Sequence, residues 1–221
     1  MAQVERDRQI IQKLFSDKSI NKVIDISSGT GFVAKCFTEM GADQVVASDI
    51  TDALLREGKS SDSDIHWVVC DAEHLSFKVE LFDAATCRYS FHHYPDPGSA
   101  IIEVHKALRD SGLLLLVDPT PPPGEPQRYL NQVFSSVEKK LSGHNKFYTS
   151  EELEKIAEEN GFQVVKTIKH SLKTQLLQPA FRGEFDKIPI KIKKIFEIKY
   201  GAHKGIDIKI PVTSLLFHKK P

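Results

Sequence analysis

The chain has 221 residues, with 30 Lys plus Arg against 30 Asp plus Glu and 40% apolar residues. Balanced charge excludes the general positive field by which proteins gather nucleic acid, and no apolar run approaches the ~18 residues that span a bilayer. Three scattered cysteines, Cys36, Cys70 and Cys87, make neither a disulfide framework nor a zinc cluster, and the charged N-terminus is no secretory signal, so a cytoplasmic protein is expected.

In chain order, Val4, Ile10, Ile11, Leu14 and Phe15 predict an N-terminal helix with one apolar face. Lys22–Ile26 is a short apolar run, as in a strand buried on both faces. Ser27 to Gly31 break it, and a helix follows from Phe32 to Met40, closed by Gly41. Gln44–Ser48 predicts a second strand, and Thr51–Lys59 a helix with Thr51 as its cap. His66–Cys70 and Phe82–Cys87 predict the third and fourth strands, and Ser99–Leu108 a helix. Gly112 ends that unit before a fifth strand, Leu113–Val117.

A proline-rich loop over 119–126 precedes a helix from Arg128 to Leu141. A further helix opens at Thr149 and closes at Gly161, before a sixth strand, Phe162–Lys169. Ile188–Tyr200 is read as a helix, and Pro211–His218 as a last strand pairing antiparallel at the sheet edge. The Lys-rich stretch from Lys187 to Lys209 is read as a solvated amphipathic segment, with an acidic partner or RNA as the alternative. Alternating strands and helices imply an α/β fold: a doubly wound, mostly parallel sheet with helices on both faces. One domain is expected over 1–221: an N-terminal helix in 1–20, a core in 21–118, and a cover with closing strands in 119–221.

In such sheets ligands bind beyond the carboxyl ends of the strands, which directs attention to the residues there. Gly29 and Gly31 let the backbone turn tightly and a ligand approach, at the start of a helix whose free N–H groups favour an anion. Asp49, about twenty residues on, suits both hydroxyls of a ribose. Gly29-x-Gly31-x-x-Ala34 also satisfies the dinucleotide pattern, so a nicotinamide cofactor is a serious alternative. Asp25, close to the turn, is unwelcome beside a pyrophosphate and suits an ammonium group. Asp71, ending the third strand, suits an exocyclic adenine amine.

Together these residues resemble a family. Val23-Ile-Asp-Ile-Ser-Ser-Gly-Thr-Gly31 resembles the first motif of the class I S-adenosylmethionine methyltransferases. Asp49 matches their ribose acid, and Asp71-Ala72 their adenine-edge position. Phe82 to Asp96 is similar to the segment after the fourth strand in the ubiquinone and menaquinone biosynthesis methyltransferases, and Leu108 to Asp118 to their fifth-strand segment. Ser27 stands where the family usually has glycine, and Asp110-Ser111-Gly112 replaces the common Pro-Gly-Gly.

The resemblance implies a Rossmann-like fold, S-adenosyl-L-methionine as cofactor, and in-line methyl transfer to a small-molecule substrate. It implies cofactor contacts from Asp25, Ser27, Gly29, Thr30, Gly31, Asp49, Ile50, Asp71, Ala72 and Arg88. His92 and His93 are the candidate proton acceptors, since only histidine at this rim titrates near neutrality. The alternatives are an NAD(P)-dependent oxidoreductase and a non-catalytic protein that keeps the cofactor fold. No metal site and no nucleic acid are expected.

Overall fold

A computed structural model describes residues 2–62, 64–138, 146–177, 179–201 and 205–220. Its strands are β1 (Lys22–Ile26), β2 (Gln44–Asp49), β3 (Ile65–Val69), β4 (Phe82–Arg88), β5 (Leu108–Pro119), β6 (Phe162–Leu176), β7 (Lys199–Tyr200) and β8 (Ile206–Lys219). Its helices are α1 (Ala2–Phe15), α2 (Phe32–Glu39), α3 (Asp52–Lys59), α4 (Pro97–Ala107), α5 (Glu125–Glu138), α6 (Ser150–Glu159), α7 (Pro179–Asp186) and α8 (Ile190–Ile195).

The strands form one sheet in the order β3-β2-β1-β4-β5-β8-β6, with β7 paired to β8. β1 to β5 run parallel, and β8 is antiparallel to both β5 and β6. The winding reverses at β1, which pairs β2 on one side and β4 on the other. The crevice of a doubly wound sheet opens there, at the carboxyl ends.

The central strands read as unbroken apolar runs because both faces are covered. On one face Ile11 and Phe15 of α1 and Phe37 of α2 bury against Val23, Val45 and Leu115. On the other, Ile101 and Val104 of α4 and Leu153 of α6 bury against Ile24, Ala85 and Leu114. A third cluster lies past the sheet's end, where Phe134 of α5, Phe181 and Phe185 of α7 and Ile192 of α8 meet Ile206 and Ile208.

Several expectations are corrected. The last strand is antiparallel as expected, but it is inserted beside β5, and β6 takes the edge. Gly112 does not end a unit. β5 runs through it from Leu108, with Ser111 at φ 62 and a register shift opposite Phe82 and Ala84. The helix read over Ile188–Tyr200 shrinks to α8, because Phe196 closes the turn and Lys199–Tyr200 join β8. α7 was not foreseen. The predicted end of the helix at Leu141 lies outside the described residues. In α1 Val4 is 47% exposed, and Asp7 takes the inward position.

α6 opens as its sequence indicates. Thr149 Oγ1 accepts the Glu152 N–H at 3.1 Å, and the Glu152 carboxylate accepts the Thr149 N–H at 2.8 Å. Thr51 stands at the cap position just before α3, yet its hydroxyl makes no cap bond.

Candidate active site

The turn after β1 holds three left-handed residues in five: Ser27 at φ 52, Gly29 at φ 55 and Gly31 at φ 80. Left-handed backbone costs a residue with a Cβ about 1–2 kcal/mol, so Ser27 is strained where the two glycines are not. Two contacts offset that strain. The Ser27 Oγ lies 2.7 Å from the Tyr94 Oη, and the Ser27 carbonyl accepts from Ser90 Oγ at 3.3 Å.

The two glycines serve different ends. A Cβ on Gly29 would meet nothing within 4 Å, so this residue faces open space. A Cβ on Gly31 would fall 2.3 Å from Trp67 Cη2, so Gly31 backs onto the indole, which also presses on Gly58. Gly31→Ala combines that overlap with the φ penalty. It is expected to destabilise the fold by about 3 kcal/mol, measured by urea unfolding.

Asp49 closes the turn from β2. Its Oδ2 accepts the Gly29 N–H at 2.9 Å and its Oδ1 the Thr51 N–H at 2.8 Å. Each oxygen keeps a lone pair for a ligand hydroxyl. At the end of β3, Asp71 Oδ1 accepts the Glu73 N–H at 2.9 Å and Oδ2 lies 3.0 Å from His74 Nδ1. The Glu73 amide first, and then His74, hold the Asp71 carboxyl below its ordinary range, so it stays ionised.

These ends enclose a cavity of about 410 Å³. Of the sequence-predicted residues, Ser27, Gly29, Asp49, Ile50, Asp71, Ala72 and His93 line it. Tyr89 and Tyr94, which sequence reasoning did not single out, complete the wall. The cavity has the size and the mix of apolar surface with few polar groups of a small-molecule site.

Asp25, Thr30, Gly31, Arg88 and His92 are not in that wall. Asp25 is 1% exposed beneath the turn. Its Oδ1 accepts from Thr86 Oγ1 at 2.8 Å and its Oδ2 from the Ala34 N–H at 3.1 Å. It therefore fastens α2 to β4, and occupies an amide that a pyrophosphate at this helix start would use.

Burial pushes the Asp25 carboxyl from 3.8 up to about 7. The native state then holds this proton more tightly than the unfolded chain does. The group's stabilising contribution is full below about pH 4 and is lost as pH rises through about 7. Asp25→Asn is expected to remove that decline, so that stability measured from pH 4 to 8 flattens relative to the parent.

Arg88 turns toward α1. Its Nε donates to Asp7 Oδ2 at 2.9 Å, a second guanidinium nitrogen meets the same oxygen, and Tyr89 Oη donates to it at 3.1 Å. The guanidinium also sits 4.7 Å from the Phe32 ring centroid and 4.1 Å from that of Tyr89. Asp7 shares a helical face with Ile11 and Leu14, at i+4 and i+7. An acid on an apolar stripe was the available signal.

His92 is buried one step from the cavity. Its Nδ1 lies 3.0 Å from each oxygen of Asp118, which is 0% exposed at the end of β5. The imidazole stacks on Phe147 with centroids 4.8 Å apart, and lies 4.1 Å from the His93 ring, which belongs to the cavity wall. Asp118 was recognisable as a strand-end residue, but nothing local pairs it with His92. Tyr148 is buried against Phe91.

The residues fit the adenosyl part of S-adenosylmethionine. Gly29 leaves room, Asp49 retains two lone pairs, and the ionised Asp71 sits beside the buried Ala72. Residues 3–167 match a family model described as "Methyltransferase domain". The ubiquinone/menaquinone biosynthesis C-methyltransferase UbiE of Desulfotalea psychrophila is 31% identical over 125 residues, covering 55% of this chain and 51% of that protein. A demethylmenaquinone methyltransferase of Renibacterium salmoninarum is 26% identical over 153 residues, covering 67% of this chain and 64% of that one. The chain thus spans about half the length of the first of these relatives. The YcgJ protein from Bacillus subtilis superposes with a TM-score of 0.84 at 20% identity, covering 98% of this chain and 99% of that one. Neither the family match nor these relatives supports the nicotinamide alternative.

Proposed function

Since the chain belongs to the methyltransferase-domain family, with S-adenosylmethionine as cofactor, we propose that it methylates a small molecule with an acidic proton on the accepting atom or on a group conjugated with it. In this reading His92 is the base and Asp118 the residue that positions it. S-Adenosylmethionine, when bound, supplies a methyl group activated by its sulfonium. The chain's own residues then have three tasks: to hold the cofactor, to align the acceptor, and to remove its proton.

Asp49 takes the ribose hydroxyls on its two free lone pairs, and Asp71 with the Ala72 amide takes the adenine edge. Ile50, 69% exposed at the rim, covers the base with apolar surface. Tyr94 and Ser27, joined by their hydroxyls, form the wall behind. Asp25 and Arg88 act through the scaffold, one fixing α2 and the other fixing α1.

The observation that carries the base assignment is the contact of His92 Nδ1 with both Asp118 oxygens. In this reading Nδ1 donates to Asp118, which leaves the lone pair on Nε2. When Nε2 takes a proton, Asp118 offsets the new positive charge. Phenols, enols and amines are the acceptors such a base serves. Hydroxylated aromatic rings come first, because the relatives are named for methylating menaquinone or ubiquinone precursors.

Release of S-adenosylhomocysteine with a panel of hydroquinones, phenols and amines tests the reading. Turnover is expected with at least one hydroxylated ring. Acceptance only of compounds without an ionisable proton would contradict it.

A further inference from the structure

The C-terminal lobe bears a surface that methyl transfer does not use. Ile192 and Phe196 of the α8 turn are buried with Phe181 and Phe185, whereas Ile190 is 72% exposed and Ile195 43%. At 100° per residue, Ile190 and Lys194 project opposite the buried pair, with Lys191 and Ile195 on one flank and Lys193 on the other. Lys193 Nζ reaches Tyr200 Oη at 3.2 Å, and Tyr200 is 39% exposed. One crest therefore carries Ile190 and Ile195 of α8, bordered by Tyr200 through its contact with Lys193.

The same crest is basic, whereas the rest of the chain holds 25 Lys plus Arg against 29 Asp plus Glu. Residues 187–199 hold five lysines and a single acid, Glu197, whose carboxylate is bound by Lys209 at 2.5 Å; Lys187 pairs with Glu184 at 2.8 Å and Lys191 with Glu125 at 2.5 Å, so the positive charge of the crest rests on Lys193, Lys194 and Lys199. A single exposed isoleucine is ordinary, but large apolar side chains interleaved with lysines are the chemistry of a bilayer's headgroup layer. The apolar tips enter the acyl boundary while the lysine stems lie flat and the ammonium groups meet lipid phosphates. An acidic protein surface would satisfy the lysines and leave Ile190 and Ile195 in water. A nucleic acid would call for stacking rings, and among the described residues of the crest the one ring is Tyr200, already faced by Arg182 and Lys193.

We infer that this crest docks on the surface of an anionic lipid bilayer, as a peripheral contact and without a span. The inference does not depend on the reading of the cavity. Cosedimentation of the full chain with extruded vesicles of phosphatidylcholine, alone or mixed with phosphatidylglycerol, tests it. The chain is expected to pellet with the mixed vesicles at low salt, about tenfold less with phosphatidylcholine alone, and to be released by added salt.

Ile190→Asp places an acid in the first turn of α8, where the helix dipole favours it, so the fold is kept while binding falls about tenfold. Lys194→Gln with Lys199→Gln is expected to abolish the preference for phosphatidylglycerol. Both variants should retain the parent's binding of S-adenosylhomocysteine, which separates loss of docking from loss of folding. Failure to pellet with the mixed vesicles, or parental binding by Ile190→Asp, overturns the inference. Equal pelleting with both vesicle types, or retention of single-stranded RNA in preference to the mixed vesicles, also overturns it.

Discussion

His92→Ala is expected to lower kcat for methyl transfer by about 10²- to 10⁴-fold while leaving the affinity for S-adenosylhomocysteine within about twofold. The split follows from position. His92 is buried against Asp118 and Phe147, outside the wall of the cofactor cavity. Its loss therefore removes a proton acceptor and leaves the adenosyl contacts in place. Asp118→Asn should give a smaller loss of kcat. The amide can still accept from Nδ1, but it no longer offsets the imidazolium. A split between kcat and KM distinguishes this role from a structural one: in His92→Gln kcat should fall while KM and the affinity for S-adenosylhomocysteine stay near the parent's. If His92→Ala turns over as the parent does, the base lies elsewhere.

Asp49→Ala is expected to weaken binding of S-adenosylhomocysteine by about a hundredfold. Two hydrogen bonds from a carboxylate to ligand hydroxyls contribute about 1.5–3 kcal/mol each in favourable cases, and part of that is recovered by water. The substitution also releases the Gly29 and Thr51 amides, which loosens the turn that frames the cavity. Asp49→Asn separates the two effects. It can accept on one atom only, so one amide loses its partner and the loss is expected to be intermediate.

Much of the fold was legible because it rests on local signals. The apolar run Lys22–Ile26 is β1 to the residue, Gly41 and Gly161 close their helices at φ 88, and Thr149 with Glu152 caps α6 as the sequence indicates. What escaped was set by distant partners. β8 lies between β5 and β6 because Leu215 and Phe217 complete one apolar face while Val212 and Leu216 complete the other, a choice that nothing in Ile206–Lys219 specifies alone. Strand-end acids were legible as a set because a doubly wound sheet brings them together, and Asp49 and Asp71 do line the cavity.

Direction within the set was not legible. Asp25 points under the turn because Thr86 and the Ala34 amide await it there, and Arg88 turns to α1 because Asp7, 81 positions away, lies buried above it. The pairing of His92 with Asp118 depends likewise on β4 and β5 being neighbours. Gly31 was read as making room for a ligand; its Cβ site is filled by Trp67.

The account turns on an adenosyl amino acid in the cavity between Gly29, Asp49 and Asp71, and calorimetric titration of S-adenosylhomocysteine into the parent and into Asp49→Ala tests that most directly. It predicts one saturable site in the parent, strongly weakened in the variant, with no saturable heat from NAD. Saturation by NAD without response to S-adenosylhomocysteine, or equal affinity of parent and variant, would contradict it.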